Sequence, residues 1–262
     1  MKQIQKKRPK KISNTIPTKA YLDGDILLYK AAFWADAEDP DRIPEKVTKD
    51  IKKWTPDGTS DIVITLSCKR NDNFRRSIWP KYKLFRDDLY RPEYLDTVRE
   101  YLLDNYKCKQ FDTIEADDIM GIYASSRRGI AVTIDKDLKG VRGWHFNPDK
   151  DKKPRYVSPS EAERFFCQQW LTGDSTDGIP GLWRVGPKKA DKLLDEWEEE
   201  GLDWHEEIMA MYEIEKYQPK DMCGLDPKEL AIVMGQCVRI LSNENFNLKT
   251  RALTLWSPKV GL

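Results

Sequence analysis

The chain opens with about 17 residues of low apolar content, after which short apolar runs begin to alternate with stretches of helical spacing. Residues 20–24 are an apolar run ending in Asp23-Gly24, and residues 25–34 carry apolar side chains at helical intervals, so a strand feeding a helix is expected with Asp23 at the strand's end. Residues 39–60 are polar, broken by Pro40, Pro44, Pro56 and Gly58, and read as a connection. Further strands are predicted at 61–67, more weakly at 107–114, and at 129–135, with a helix from Glu115 to Ala124 and a short return strand near 141–146. Strands that alternate with helices predict a mostly parallel α/β sheet. After Pro159 every segment has helical character: 160–171, 187–197 and about 226–241, with a Gly/Asp-rich connection at 172–186 and an acidic stretch at 195–215.

Composition and charge narrow the chemistry. Apolar residues make up 39% and charged residues 34% of the 262, the profile of a charge-rich globular protein. No apolar run approaches the roughly 18 residues a membrane-spanning helix needs, so no membrane partner is expected. The start lacks a charged segment followed by an apolar core, which argues against a secretory signal. The five cysteines include no C-x-x-C pair and read as reduced thiols of a cytoplasmic protein. With only His145 and His205, a histidine-rich zinc site or Ser-His-Asp machinery is excluded. Net charge is +1, but residues 1–20 hold seven basic and no acidic residues, which leaves 38 basic against 44 acidic in the remainder. Residues 1–17 read as a disordered basic tail, either a nucleic-acid arm or localisation signal or an uninvolved terminus. An acidic body needs a reason to gather carboxylates, and bound cations would supply one.

Ligands of α/β sheets collect beyond the carboxyl ends of the strands, and acids fall there. Asp23 ends the first predicted strand; Glu115, Asp117 and Asp118 open the helix after the third; Asp135 and Asp137 end the fourth; Asp174 and Asp177 lie in the connection after residue 171. Singly, each also reads as a helix cap, a turn or a solvated strand end. Together, eight carboxylates at one sheet edge would repel one another by several kcal/mol at short range. All-oxygen donors favour two Mg²⁺ or Mn²⁺ ions. A second motif, residues 179–194, places Gly181 and Gly186 around a tight turn ahead of Pro187, Lys188 and Lys189, so backbone N–H groups at a helix start and two lysines could meet a DNA phosphate. A plain helical hairpin is the alternative. A third, residues 73–86, interleaves Arg75, Arg76, Lys81, Lys83 and Arg86 with Phe74, Trp79, Tyr82 and Phe85, which suits a groove that tracks a nucleic-acid backbone and stacks bases, or an amphipathic helix with its aromatics turned inward.

This ordered set resembles the 5′→3′ exonuclease/flap endonuclease superfamily: D-G after the first strand, P-x-Y-K-x-x-R at 80–86, E-A-D-D, I-D-K-D, and G-D-S-T-D-G-I-P-G-x-x-x-V-G-P-K-K-A. The G-Q-C-V-R-I-L-S-N-E-N-F-N segment and W-S-P at 256–258 are similar to small exonucleases of tailed bacteriophages. The resemblance spans about residues 19–258. It implies a PIN-like, Rossmann-like nuclease core at 18–157 with a helical arch at about 73–106, then a helical DNA-binding region at 158–262 with a helix–three-turn–helix at about 160–197. It implies a first metal site on Asp23, Glu115, Asp117 and Asp118, and a second on Asp135, Asp137, Asp174 and Asp177. Lys83 and Arg86 would meet the scissile phosphate, Arg75, Arg76, Tyr82, Gly181, Gly186, Lys188 and Lys189 the rest of the DNA, and turn carbonyls a K⁺ ion. The substrate implied is duplex DNA with a 5′ end, flap or nick, extending to RNA–DNA hybrids, cut by a monomer in the cytoplasm (the host's, for a phage protein) during phage DNA replication or recombination. A non-catalytic DNA-binding protein of this fold, or a PIN-type ribonuclease, are the alternatives. One departure stands out: relatives carry another acid just after the second strand, near Leu66-Ser67, whereas here Cys68 occupies that place; either the nearest acid, Asp72, reaches in as an extra ligand or the first site is one carboxylate short.

Overall fold

A computed structural model describes residues 15–258; the expected basic tail at 1–17 lies almost wholly outside them. In chain order the elements are β1 (Lys19–Asp23), α1 (Gly24–Ala37), α2 (Ile43–Trp54), β2 (Asp61–Thr65), α3 (Phe74–Ile78), α4 (Leu95–Asn105), β3 (Cys108–Lys109), α5 (Ala116–Ser125), β4 (Ile130–Val132), β5 (Gly143–Phe146), β6 (Arg155–Val157), α6 (Pro159–Thr172), α7 (Pro187–Glu200), α8 (Trp204–Glu213) and α9 (Pro227–Val238). The six strands form one sheet in the order β3-β2-β1-β4-β5-β6. All neighbours are parallel except β5 and β6. The PIN-like α/β expectation therefore holds.

Strand alternation sorts the core. Ala20, Leu22, Ile64, Ile130 and Val132 pack with α1, α2 and α4 on one face, whereas Tyr21, Val63 and Ala131 pack with α5 on the other. A third cluster joins α6 to α9 and takes in Trp79 and Tyr82 from the segment around α3. Arg75 ties the parts together: its guanidinium spans Asp118 of α5 and the carbonyls of Cys237 and Arg239 at the end of α9.

The strand order reverses at β1, whose neighbours β2 and β4 lead away in opposite directions. A crevice opens beyond the carboxyl ends of β1 and β4, where such sheets bind ligands. The turn from β1 into α1 is tight enough that a Cβ on Gly24 would stand 2.3 Å from the carbonyl oxygen of Thr65. Glycine at that place lets α1 begin directly on the strand and hold Asp23 at its N-terminus.

Two expectations change. The polar run 39–60 contains helix α2, because Ile43, Val47, Ile51 and Trp54 recur on one face and are buried, with Pro44 tolerated in the first turn. The expected arch at 73–106 is smaller: Leu95, Val98 and Leu102 bury α4 in the core, so only about residues 84–94 stand outside it, with Leu84, Phe85, Leu89 and Tyr90 exposed.

Candidate active site

Three acids are built from β1 and β4 outward by a relay of hydrogen bonds. Asp23 caps α1, its Oδ1 accepting from the Ile26 N–H at 3.1 Å, while its Oδ2 accepts from the Thr133 hydroxyl at 2.7 Å. Thr133 Oγ1 accepts the Asp135 N–H, and Asp135 Oδ1 accepts the Asp137 N–H. Asp137 Oδ1 then accepts from Gln169 Nε2 of α6 at 2.9 Å. From α5 come Glu115, at the helix start, and Asp117 in its first turn. Asp174 and Asp177 lie on the 3₁₀ turn that follows α6. All of these line one cavity of about 790 Å³, together with Asp25, Lys83 and Arg86.

Crowding and burial set the electrostatics. Burial and the neighbouring Asp25 charge push the Asp23 carboxyl up to about 7, against the Thr133 and Ile26 donors that favour its ionised form. Asp137 is likewise pushed up to about 7, by burial and then by Asp135. Asp117 is raised well above the usual carboxylate range by burial, Asp23 and Asp135. Glu115 goes the other way: burial alone would raise it, but Lys83 and Arg75 outweigh that and hold it at about 2. Lys83 Nζ lies 2.8 Å from Glu115 Oε1 and 3.4 Å from Asp177 Oδ2, and Arg86 pairs with Asp177 at 2.7 Å. Lys83 adopts a left-handed backbone with φ 51° that starts the exposed turn at 84–88.

The turn region behind the acids is set by backbone proximity. Asp174 and Ile179 form an isolated antiparallel bridge, and Gly173, Gly178 and Gly181 all have positive φ. A Cβ on Gly181 would lie 2.2 Å from the Thr172 carbonyl carbon, so only glycine lets the two chain segments cross here. Gly186 starts α7 with no side-chain cap and open space beside it, which leaves the first N–H groups of α7 facing outward beside exposed Lys188. Lys189 is half-buried and lies over the Tyr217 ring at 4.4 Å.

No family model matches the chain. DNA polymerase I of Bacillus subtilis is 32% identical over 187 residues, which cover 62% of this chain but only 21%, about a fifth, of that longer protein. The exonuclease of Escherichia phage T7 is similar over 228 residues at 24% identity, covering 74% of each chain. The 5′-3′ exonuclease of Buchnera aphidicola is 27% identical over 198 residues, 66% of this chain and 68% of its own. The solved structure of the phage T5 5′-exonuclease with divalent zinc ions bound shares the fold, with a TM-score of 0.58 at 16% identity over 84% of this chain and 88% of that one. The chain is thus similar in sequence to 5′→3′ exonucleases and shares the fold of the T5 5′-exonuclease.

Several residues do not stand where the superfamily resemblance put them. Asp118 is fully buried and turned away from the cavity: Arg75 holds it at 2.7 and 2.8 Å, and it accepts the N–H groups of Glu115 and Leu241. It is a structural counterion rather than a ligand. Arg75, only 3% exposed, is committed to that pair and to two carbonyls and is not free to touch DNA. Tyr82, 2% exposed, offers no face for a base; its hydroxyl donates to Glu115 at 2.6 Å. Arg76 pairs with Asp87. Asp72 is exposed on the 70–72 turn and is not part of the cavity wall.

Other residues of the site were not foreseen. Asp25 lines the cavity, as do Gln169 and, farther along α1, Tyr29 and Phe33. The repeated acid in Asp23-Gly24-Asp25 is the available signal for Asp25, and by itself it is equally an Asp-Gly turn running into a helix. Nothing in a single sequence marks Gln169 as a partner for Asp137, since the pair is 32 residues apart.

Proposed function

We propose that the protein is a metal-dependent 5′→3′ exonuclease or flap endonuclease that hydrolyses DNA phosphodiester bonds. The observation that carries this reading is the convergence of eight carboxylates, from Asp23 to Asp177, on one cavity that also presents Lys83 and Arg86. The donor set fits divalent cations: it is nearly all hard oxygen, and Asp117 has no hydrogen-bond donor among the described residues. Burial and mutual repulsion favour the protonated forms of Asp23, Asp117 and Asp137, and bound cations would favour their carboxylates.

Asp23, Glu115 and Asp117 would hold one ion, and Asp135, Asp137, Asp174 and Asp177 a second, both Mg²⁺ in this reading. When bound, such ions lower the pKa of water and offset charge on the leaving oxygen. The side chains then have distinct work. Thr133 and Gln169 orient Asp23 and Asp137 through the bonds described above. Lys83 and Arg86 now neutralise Glu115 and Asp177, and a phosphodiester entering the cavity competes with those carboxylates for the same two cationic groups. The α7 start, with Gly186, Lys188 and Lys189, would take a duplex phosphate, with a K⁺ ion on the turn carbonyls. The same arrangement accepts a DNA strand paired with RNA.

The test is cleavage of a 5′-labelled duplex in Mg²⁺. Asp135→Asn with Asp137→Asn should abolish cleavage while duplex binding persists. A double variant that cuts at the wild-type rate overturns the reading, and wild-type protein that binds the duplex but does not cut it with any divalent ion favours a purely binding role.

A further inference from the structure

We infer that Asp25, oriented by Ser67, is a ligand of the first divalent cation beside Asp23, Glu115 and Asp117. This rests on the metal-dependent reading above and adds a residue to it.

Asp25 lines the cavity two residues after Asp23, in the first turn of α1. An acid there ordinarily serves the helix start, but that work is done by Asp23, which accepts the Ile26 N–H. The Asp25 carboxylate instead faces the end of β2. The Ser67 N–H donates to Asp25 Oδ1 at 3.1 Å, and the Ser67 hydroxyl donates to Oδ2. The direction of that second bond is fixed, because Ser67 Oγ already accepts the Ala116 N–H at 2.9 Å and so turns its own proton toward the carboxylate. Arg99 of α4 secures the Ser67 carbonyl at 2.9 Å. Each oxygen of Asp25 thus accepts one bond and keeps a free lone pair.

Charge supports the same assignment. Glu115 pairs with Lys83, Asp177 with Arg86 and Asp118 with Arg75, but no lysine or arginine pairs with Asp25 among the described residues. It stands close enough to Asp23 and Glu115 for their charges to act on one another. Arg99, held on the Ser67 carbonyl, is the cation that acts on Asp25, and among the described residues it forms no ion pair with it; a half-buried carboxylate clamped among like charges without an ion-pair partner favours a cation that joins them. The end of β2, which carries Ser67 in place of an acid, therefore serves as the holder for a carboxylate supplied by α1. Asp72, exposed on its own turn, does not take this place.

The test is calorimetric titration of Mn²⁺ alone into the full chain without DNA. Asp25→Asn should weaken one bound ion by about ten-fold or more and leave the other unchanged; Ser67→Ala, which loosens the clamp but keeps the carboxylate, should weaken the same ion by less, toward the lower end of the effects of removing outer-shell partners. Adding Ser67→Asp to Asp25→Asn should recover affinity. The metal-free melting temperature of Asp25→Asn should equal or exceed that of wild type, since a like charge is removed. Asp25→Asn protein that binds both ions with wild-type affinity overturns the inference. Should that variant not fold, Ser67→Ala decides, and unchanged affinity for both ions again overturns it. Wild-type protein that binds no Mn²⁺ would instead sink the metal-dependent reading itself.

Discussion

Replacing Asp23 by asparagine should make the metal-free protein more stable above neutral pH and no more stable in acid. The folded state holds the Asp23 proton up to about 7, against an ordinary value of 3.8. A group whose folded value is raised favours the folded state while protonated and loses that advantage as pH climbs from about 4 to about 7. Deprotonating Asp23 in the folded protein therefore costs about 4 kcal/mol by pH 8, an upper bound because the Asp23 and Asp117 charges act on one another. Asparagine has no charge to develop, and its amide oxygen can still accept the Ile26 N–H. It gives up the charge-assisted bond from Thr133, a loss of about 1.5–3 kcal/mol. The net gain is about 1–2.5 kcal/mol at pH 8, or about 2–10 °C in melting temperature for a chain of this size. The assay is scanning calorimetry in EDTA at pH 5 and pH 8, repeated with Mg²⁺. At pH 5 the gain should vanish, and Mg²⁺ should stabilise wild type more than the variant. An Asp23→Asn protein that melts below wild type by the same margin at both pH values would refute the like-charge account of this cluster. Glu115, held near 2, complicates only the range below about 4.5, where its protonation removes stability.

Arg75→Met should destabilise the protein by about 3–5 kcal/mol, because Asp118 would stay buried without its partner; urea unfolding measures this, and unchanged stability together with a lower salt slope for DNA binding would restore Arg75 to the DNA contacts. Lys188→Ala with Lys189→Ala should weaken duplex binding and reduce the salt dependence of log K by about 1–2, as one or two phosphate contacts are lost; a binding isotherm series in KCl with an unchanged slope would remove the α7 start from the interface.

Most of the architecture was legible because its signals are local. Apolar runs mark β1, β2 and β4, and the acids at the ends of β1 and β4 point to the sheet edge that the strand order makes a crevice. Helix α2 was missed because prolines and charges dominate its composition, although Ile43, Val47, Ile51 and Trp54 keep a helical interval. β6 gave no pattern strong enough to read: it is three residues long and gains its order by pairing with β5. The expected arch exceeds the observed one because interleaved basic and aromatic residues leave open whether the aromatics face a groove or turn inward. Trp79, Tyr82, Leu95, Val98 and Leu102 instead fill two cores, and only a packed structure distinguishes an aromatic that stacks on a base from one that stacks on the protein.

The same limit explains the errors within the site. Asp117 and Asp118 are adjacent in sequence and identical in chemistry, yet about 100° of helical rotation separates them. One meets the cavity and the other meets Arg75, which arrives from α3, 43 residues away in the chain. Counting acids at a helix start therefore overstates the ligand set by whatever number the packing claims as counterions. Asp25 shows the converse: a carboxylate dismissed as part of a turn becomes available because Ser67, 42 residues later, supplies two donors and no charge. In this protein the division of carboxylates between cavity and core follows their packing: Asp118, held by two bonds from buried Arg75, supports the fold, whereas Asp23, Asp25 and Asp137, held by hydroxyl, amide or backbone donors, line the cavity.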